Sequence, residues 1–450
     1  MISNFSRKRI NRSKELRNIF NMFVHNQATG GVVLLLCAVI ALLIANIPEI
    51  SYLHDIWYEK LAISFGDKKF EMDLIHWIND GLMAIFFFVV GLEIKREVLV
   101  GELSSLKQAT LPIFAAIGGM LFPALIYAFF NHGEPSQNGW GIPMATDIAF
   151  SLGIISILGK KVPLTLKIFL TALAIVDDLG AIIVLALFYP THAIDFQYLM
   201  MAGGIILLLL FLNKINIQKP AAYLILGVAL WFLVLASGIH ATIAGVILAA
   251  FIPYKTPINE VRFYARSRFF LEKFRAASRS ELMVLANPVQ QEIIHSLHNK
   301  LEKINPLMHK FEHGFHPWVT YLIMPIFALA NAGVIINSHS FEGSIPPIAL
   351  GVFFGLVFGK PLGIFALSWV ACKLKIAVLP EGVKWGQIAS VGIIAGIGFT
   401  MSIFIDNLAF SDPKIVDTGK AAILISSFVS AVLGLLALYI TTRKKKPINK

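Results

Sequence analysis

Apolar residues fill this chain in runs of about 20, the length of helix that crosses a hydrocarbon layer, separated by short polar or charged stretches. Twelve such runs are predicted as membrane-spanning helices: 28–47, 75–94, 109–130, 139–158, 164–189, 197–213, 220–236, 238–252, 317–336, 346–372, 386–408 and 419–441. The seventh and eighth are divided only by Ser237-Gly238. Two segments break the pattern. LAISFGDKKFEMDL (61–74) alternates apolar and polar positions around Gly66-Asp67, as a β-hairpin does. Residues 253–316 are charged and helix-favouring, and are expected as a long loop outside the bilayer. The chain therefore divides into a basic tail (1–25), a first block of eight spans (26–252), the loop (253–316), a second block of four spans (317–441) and a basic tail (442–450).

The positive charges orient this layout. With twelve spans, 32 of the 38 Lys and Arg residues fall on one face, five on the other, and Lys360 inside a span. Cytoplasmic loops carry that excess, so both termini are expected in the cytoplasm and the hairpin outside it. Composition agrees: 57% of residues are hydrophobic and 14% charged, where a soluble domain carries about 25% charged. The net charge of +11 is spread over membrane-flanking segments, and no soluble basic domain suited to nucleic acid is present. Cys37 and Cys372 lie far apart in apolar segments and suggest neither a disulfide framework nor a metal site. The basic start followed by an apolar run has the outline of a signal peptide without a small-residue cleavage site, and is read as an uncleaved first span.

The candidate chemistry lies in the charges within the spans. Asp177 and Asp178 are adjacent in TALAIVDDLGAIIVLALFY. One carboxylate in hydrocarbon costs several kcal/mol, from about 2.5 to above 10. A pair costs more, and such a pair titrates as a unit. Asp147 sits in GWGIPMATDIAFSLG beside the Thr146 hydroxyl, and Lys360 in GVFFGLVFGKPLGIF. Three acids against one lysine leave surplus negative charge, which suits a hard monovalent cation held by oxygen ligands. No His/Cys cluster offers a soft-metal site, and no cofactor is expected. Gly139, Gly141 and Pro143 interrupt the fourth span, and Gly392, Gly396 and Gly398 the eleventh. These are the middle members of two triplets, spans 3–5 and 10–12, which enter the membrane with opposite orientation. Such inverted repeats place a substrate site at the midplane between broken helices. The half-helix ends there carry partial charges that Asp147 and Lys360 would offset. Gly351, Gly355 and Gly359, four residues apart, suit a helix–helix contact. The fold class is thus an all-α polytopic membrane protein of about twelve helices, broken at the fourth and eleventh, with a small extracytoplasmic hairpin.

With these residues in place, the chain resembles the NhaA family of bacterial Na⁺/H⁺ antiporters. The matching stretches are NDGLMAIFFFVVGLEIKRE, PMATDIAFSLG, LKIFLTALAIVDDLGAIIVLALFY, SGIHATIAGVI, HPWVTYLIMPIFALANAGV, FGKPLGI and GIGFTMSIFI, in family order from about residue 26 to 441. That family is itself a standing example of the inverted repeat. The resemblance implies a multi-pass inner-membrane exchanger, not an enzyme, that moves H⁺ inward and Na⁺ or Li⁺ outward. It implies Asp178 as the central Na⁺ ligand, Asp177 as its partner in cation and proton exchange, and Lys360 as the cation paired with Asp177. Thr146 and Asp147 would lie at the crossing of the broken helices. It further implies a cytoplasmic pH-sensing cluster of Glu93, Arg96, Glu97, Glu312, His313 and His316, a pH-linked His240, and a homodimer joined through the hairpin. The loop ahead of Glu312 is longer than the family's compact one.

Two other classes fit paired membrane acids. An intramembrane aspartyl protease needs its aspartates in Tyr-Asp and Gly-x-Gly-Asp contexts; here they are Thr-Asp and Val-Asp-Asp-Leu. A sodium-coupled symporter for an organic solute would need a larger site.

Overall fold

The computed structural model describes residues 27–65, 68–190, 194–256, 259–278, 284–335 and 345–443. The N-terminal tail, most of the C-terminal tail and the Gly66-Asp67 tip of the expected hairpin lie outside that set.

The chain is mostly helical. It opens with α1 (Gln27–Asn46), then two antiparallel strands, β1 (Lys60–Phe65) and β2 (Lys68–Asp73), paired from Lys60↔Asp73 to Phe65↔Lys68. Helices α2 (Leu74–Val100) and α3 (Leu106–Phe130) follow. A 3₁₀ segment (Gln137–Met144) leads into α4 (Ile148–Ile157). Then come α5 (Leu164–Phe188), α6 (Phe196–Lys214), α7 (Pro220–Ala236) and α8 (Ile243–Phe251). The long loop folds as α9 (Glu260–Ala276) and α10 (Pro288–Ile304). Next, α11 (Leu307–Trp318) runs through a π turn into α12 (Met324–Asn331). The last elements are α13 (Pro347–Lys373), α14 (Trp385–Ala395), α15 (Phe399–Ala409) and α16 (Pro413–Thr442). Eight helices among the described residues are long and apolar enough to cross a membrane, or nine when α14 and α15, bent by 47°, count as one. The expected ninth span, 317–336, is a helix that already begins at Leu307, inside the segment read as loop.

Local chemistry sets the element ends. Proline opens α7, α10, α13 and α16, where its missing N–H has no partner to lose. Asp195, Asn259, Asn287 and Asp412 cap their helices by accepting from backbone N–H groups two or three residues on. The π turns at Val319–Ile323 and Gly355–Gly359 each contain the carbonyl four residues before a proline, Pro325 and Pro361. A proline ring displaces that carbonyl and forms no bond to it, so the ladder widens there.

Glycines set the closest packing. A Cβ at Gly118 in α3 would overlap the Gly363 carbonyl in α13, and one at Gly363 would overlap the Gly118 carbonyl, so two backbones touch. Gly359 meets Pro123, Gly355 meets Pro143, and Gly351 meets Asn131 and Tyr127. The expected glycine stripe is thus the face by which α13 lies on α3. Gly245 brings α8 onto the Ala84–Phe88 stretch of α2 in the same way. Inside this frame α5 is enclosed, with Asp177 and Asp178 in its buried middle.

Candidate functional site

The helical ladder is broken in two places, and the breaks meet. Ala145 and Asp147 are extended between the 3₁₀ segment and α4, and residues 396–398 separate α14 from α15. The Asp147 N–H donates to the Ile397 carbonyl at 2.7 Å, and the Ser402 hydroxyl to the Ile142 carbonyl at 2.7 Å. Four half-helix ends therefore converge, two exposing N–H groups and two exposing carbonyls.

Asp147 serves the N–H ends. Its Oδ1 accepts from the Phe150 N–H of α4 at 2.9 Å, and its Oδ2 from the Thr400 N–H of α15 at 3.2 Å and from the Thr400 hydroxyl. One carboxylate thus caps two helices, where partial positive charge accumulates. The carbonyl ends face donors. Lys360 donates to the Met144 carbonyl, Thr146 lies 3.0 Å from the Ala395 carbonyl, and the Ser151 hydroxyl donates to Ile394 at 3.3 Å.

Asp177 joins both sets. Its Oδ2 accepts from Lys360 Nζ at 2.6 Å and lies 2.7 Å from the Thr146 hydroxyl. That hydroxyl has one hydrogen, which serves either Asp177 or Ala395 at a time. The Asp177 and Asp178 Oδ1 atoms are buried without a hydrogen-bond partner among the described residues. Asp147, Asp177 and Asp178 are each 1% exposed, and Lys360 is 0% exposed. Buried charges need pairing, and three carboxylates against one ammonium are short of positive charge. Two unpartnered carboxylate oxygens beside a threonine hydroxyl and free-ended carbonyls form an oxygen-rich place for a small hard cation or for protons.

Five residues named from sequence for the ion site (Thr146, Asp147, Asp177, Asp178 and Lys360) thus lie together in the interior. A second group gathers at the far end of α2. Arg96 pairs with Glu312 of α11 and, at 3.1 Å, with Glu97. Glu93 lies within electrostatic reach of Arg96, Glu97 and Glu312. The His313 ring sits 4.2 Å from that of His309. His316 has an open edge, while its crowded side lowers its pKa below 6.5 by desolvation, opposed by Glu312 and reinforced by His313 and Arg96. His240 is elsewhere. It precedes α8, whose start lies beside Ala84 while Lys95 donates to the Ala250 carbonyl at 2.7 Å near its end. His240 is therefore at the opposite end of α2 from Arg96, buried near the Tyr189 backbone.

The charge inventory drawn from sequence was incomplete. Asp406 is 0% exposed and Lys420 7% exposed, so two further ionisable side chains are buried. Both numbers fall inside the spans expected at 386–408 and 419–441. They escaped notice because each stands near a span's end, where water is normally close.

The chain matches the family model described as Na⁺/H⁺ antiporter 1 over residues 21–438. It is 46% identical over 428 residues to a Na⁺/H⁺ antiporter NhaA of Oleidesulfovibrio alaskensis, covering 95% of each chain. It is likewise 46% identical over 428 residues to one of Helicobacter pylori, covering 94% of this chain and 95% of the other. A Wolinella succinogenes NhaA matches at 46% over 431 residues, 94% of this chain and 93% of that one.

Proposed function

The chain belongs to the Na⁺/H⁺ antiporter 1 family, and we propose that it is a multi-pass membrane antiporter exchanging Na⁺ or Li⁺ for H⁺ by competitive alternating access. The observation that carries this reading is the buried Asp177–Asp178 pair, each with an unpartnered oxygen, beside Lys360 and Thr146 at the crossing of two interrupted helices. Asp178 holds the ion. Asp177 exchanges partners: a cation entering between the two acids takes the place of the Lys360 ammonium at Oδ2. Protons and Na⁺ occupy the same carboxylates, so each expels the other, and the carrier reorients loaded with one or the other. If Na⁺ displaces the proton of Asp178, and Lys360, released from Asp177, gives up its own proton, two H⁺ move against one Na⁺ and the cycle carries net charge. Asp147 stays fixed as the double helix cap, and Lys360 and Thr146 hold the carbonyl ends when the ion is absent.

The wider architecture is part of the same proposal. Twelve spans with both termini in the cytoplasm are supported by the charge asymmetry, and a bacterial inner-membrane location by the family match. Inverted repeats, spans 3–5 and 10–12, are supported by the pairing of equivalent members: α3 touches α13 at Gly118 and Gly363, and α4 meets α15 at their breaks. A homodimer through residues 61–74 is supported by the two open edges of a two-stranded sheet, beside Leu61 and Tyr58, 50% and 54% exposed. The Glu93, Arg96, Glu97, Glu312, His313 and His316 group, with His240 at the other face, would regulate activity by pH.

The test is Asp178→Asn in proteoliposomes. Na⁺-dependent collapse of an imposed ΔpH is expected to disappear while the protein remains folded. Full exchange by that variant would overturn the assignment, and Na⁺-driven uptake of an organic solute would favour a symporter.

A further inference from the structure

Asp406 takes no part in the exchange described above, yet its burial needs an explanation. It sits on α15, six residues from Thr400, which is about 9 Å along a helix rising 1.5 Å per residue. It therefore lies on the same half-helix whose start caps onto Asp147. The neighbouring Asn407 Nδ2 donates to Asn331 at 2.7 Å, and Asn331 Nδ2 to Asn79 at 2.9 Å, one turn into α2 from the hairpin. Asp406 thus stands between the crossing and the hairpin face.

Its surroundings are polar but do not satisfy it. The carboxylate lies against Gly419 of α16, where a Cβ would come 2.9 Å from Oδ2. Lys420 is the next residue, and Asp417 is one turn earlier, within reach of Lys420 and of His54. On α3 the Tyr127 hydroxyl faces the same region, but it donates to the Ser136 carbonyl at 2.8 Å. Neither oxygen of Asp406 has a hydrogen-bond partner among the described residues, and Lys420 forms no direct ion pair with it. A bare carboxylate in such a place is costly unless a cation or donor meets it. Asp406 and Asp417 against Lys420 leave one negative charge over, which one monovalent cation would balance. An ionisable residue at membrane depth marks an ion path more often than a structural strut.

We propose that Asp406, flanked by Lys420 and Asp417, is a second monovalent-cation site, a transit station between Asp177–Asp178 and the hairpin face. This rests on the exchange reading above. Lys420 supplies the positive charge when the station is empty, as Lys360 does for Asp177.

The experiment measures Na⁺/H⁺ exchange by Asp406→Asn in oriented proteoliposomes, with Na⁺ offered from each face. Detailed balance ties the two directions together in kcat/KM, so a transit station must show as a split. With Na⁺ on the hairpin face, KM should rise about tenfold, the worth of one charge-assisted contact. With Na⁺ on the other face, KM should hold and the maximal rate fall, because release is slowed. The double variant Asp406→Asn/Lys420→Gln removes the lysine's need for a counter-charge and keeps the fold testable if the single variant is unstable. It should show the same split. Return of wild-type kinetics in the double variant would mean that Asp406 merely neutralises Lys420, and the proposal would fail. An equal change in KM on both faces, relative to the unaltered protein, in either folded variant would overturn it too. If the unaltered protein shows no Na⁺-driven exchange at all, it is the antiporter reading that falls.

Discussion

Lys360 binds two unlike acceptors through one nitrogen, the Asp177 carboxylate and the Met144 carbonyl, and it is completely buried. Removing it leaves Asp177 with the Thr146 hydroxyl alone. Breaking a buried pair by deleting one partner costs about 3–5 kcal/mol, whereas replacing both partners by neutral groups is often tolerated. Lys360→Ala is therefore expected to lower stability by about 3 kcal/mol, the lower end because Thr146 still donates. Adding Asp177→Asn should recover most of the loss. Thermal melts in detergent check both, and a single variant as stable as the unaltered protein would show that the pair carries no structural weight. The acids and the lysine were visible in the sequence because a charge inside an apolar run has few bland explanations. Their pairing was not, since 183 residues separate Asp177 from Lys360 and only the fold joins them. Only the family resemblance had suggested it.

Element packing tests a different kind of inference. Gly363 and Gly118 are glycine because two backbones touch there. A methyl group at Gly363 would force α3 and α13 apart, and overpacking of that kind costs about 1–3 kcal/mol. Gly204 in α6 has nothing within 4 Å of where its Cβ would be, so Gly204→Ala should gain up to about 1 kcal/mol from helix propensity. Melting temperatures should then move in opposite directions for the same chemical change; a shared direction would contradict the packing. The four-residue glycine spacing was legible as a contact face, but which helix it met was not. The interruptions in the fourth and eleventh spans were legible from glycine and proline, though not the double capping by Asp147, which needs both breaks at one point. Further along, α11 carries a pH-dependent element. Burial lowers the His316 pKa below its ordinary 6.5, so the folded state resists charging it. A depressed histidine leaves stability untouched well above pH 6.5 and erodes it as pH falls through that value, because the unfolded chain then binds more protons. The exposed edge of His316 keeps the effect small. His316→Gln should flatten the acid side of a stability-versus-pH curve below pH 6.5, and an unchanged slope there would exclude the histidine as a source.

At the scale of the whole molecule, the unexpected part is the long loop between the two blocks of spans. Its charged, helix-favouring sequence pointed to helices, and α9 and α10 are helical. What the sequence did not reveal is how the excursion closes. The Met308 N–H donates to the Pro253 carbonyl at 3.2 Å, and the Leu307 N–H to Gln218 Oε1 at 3.0 Å. The chain therefore leaves and rejoins the body at one point, and α9–α10 stand on a closed neck. Shortening a loop whose ends already meet changes closure entropy only slowly with length, by about 0.6 kcal/mol per halving. Insertions joined this way can be removed when the backbone on either side keeps its own hydrogen bonds. Replacing residues 256–305 by a short Gly/Ser bridge should leave α8, α11 and the Arg96–Glu312 pair in place. Exchange in proteoliposomes is expected to persist at a rate within about twofold of the unaltered protein, with a monodisperse elution profile. Loss of exchange in a folded, monodisperse variant would show that α9–α10 act on the transport cycle. A protein that no longer folds would show that they brace the two blocks. Either result would make this excursion a working part of the transporter instead of a tolerated addition.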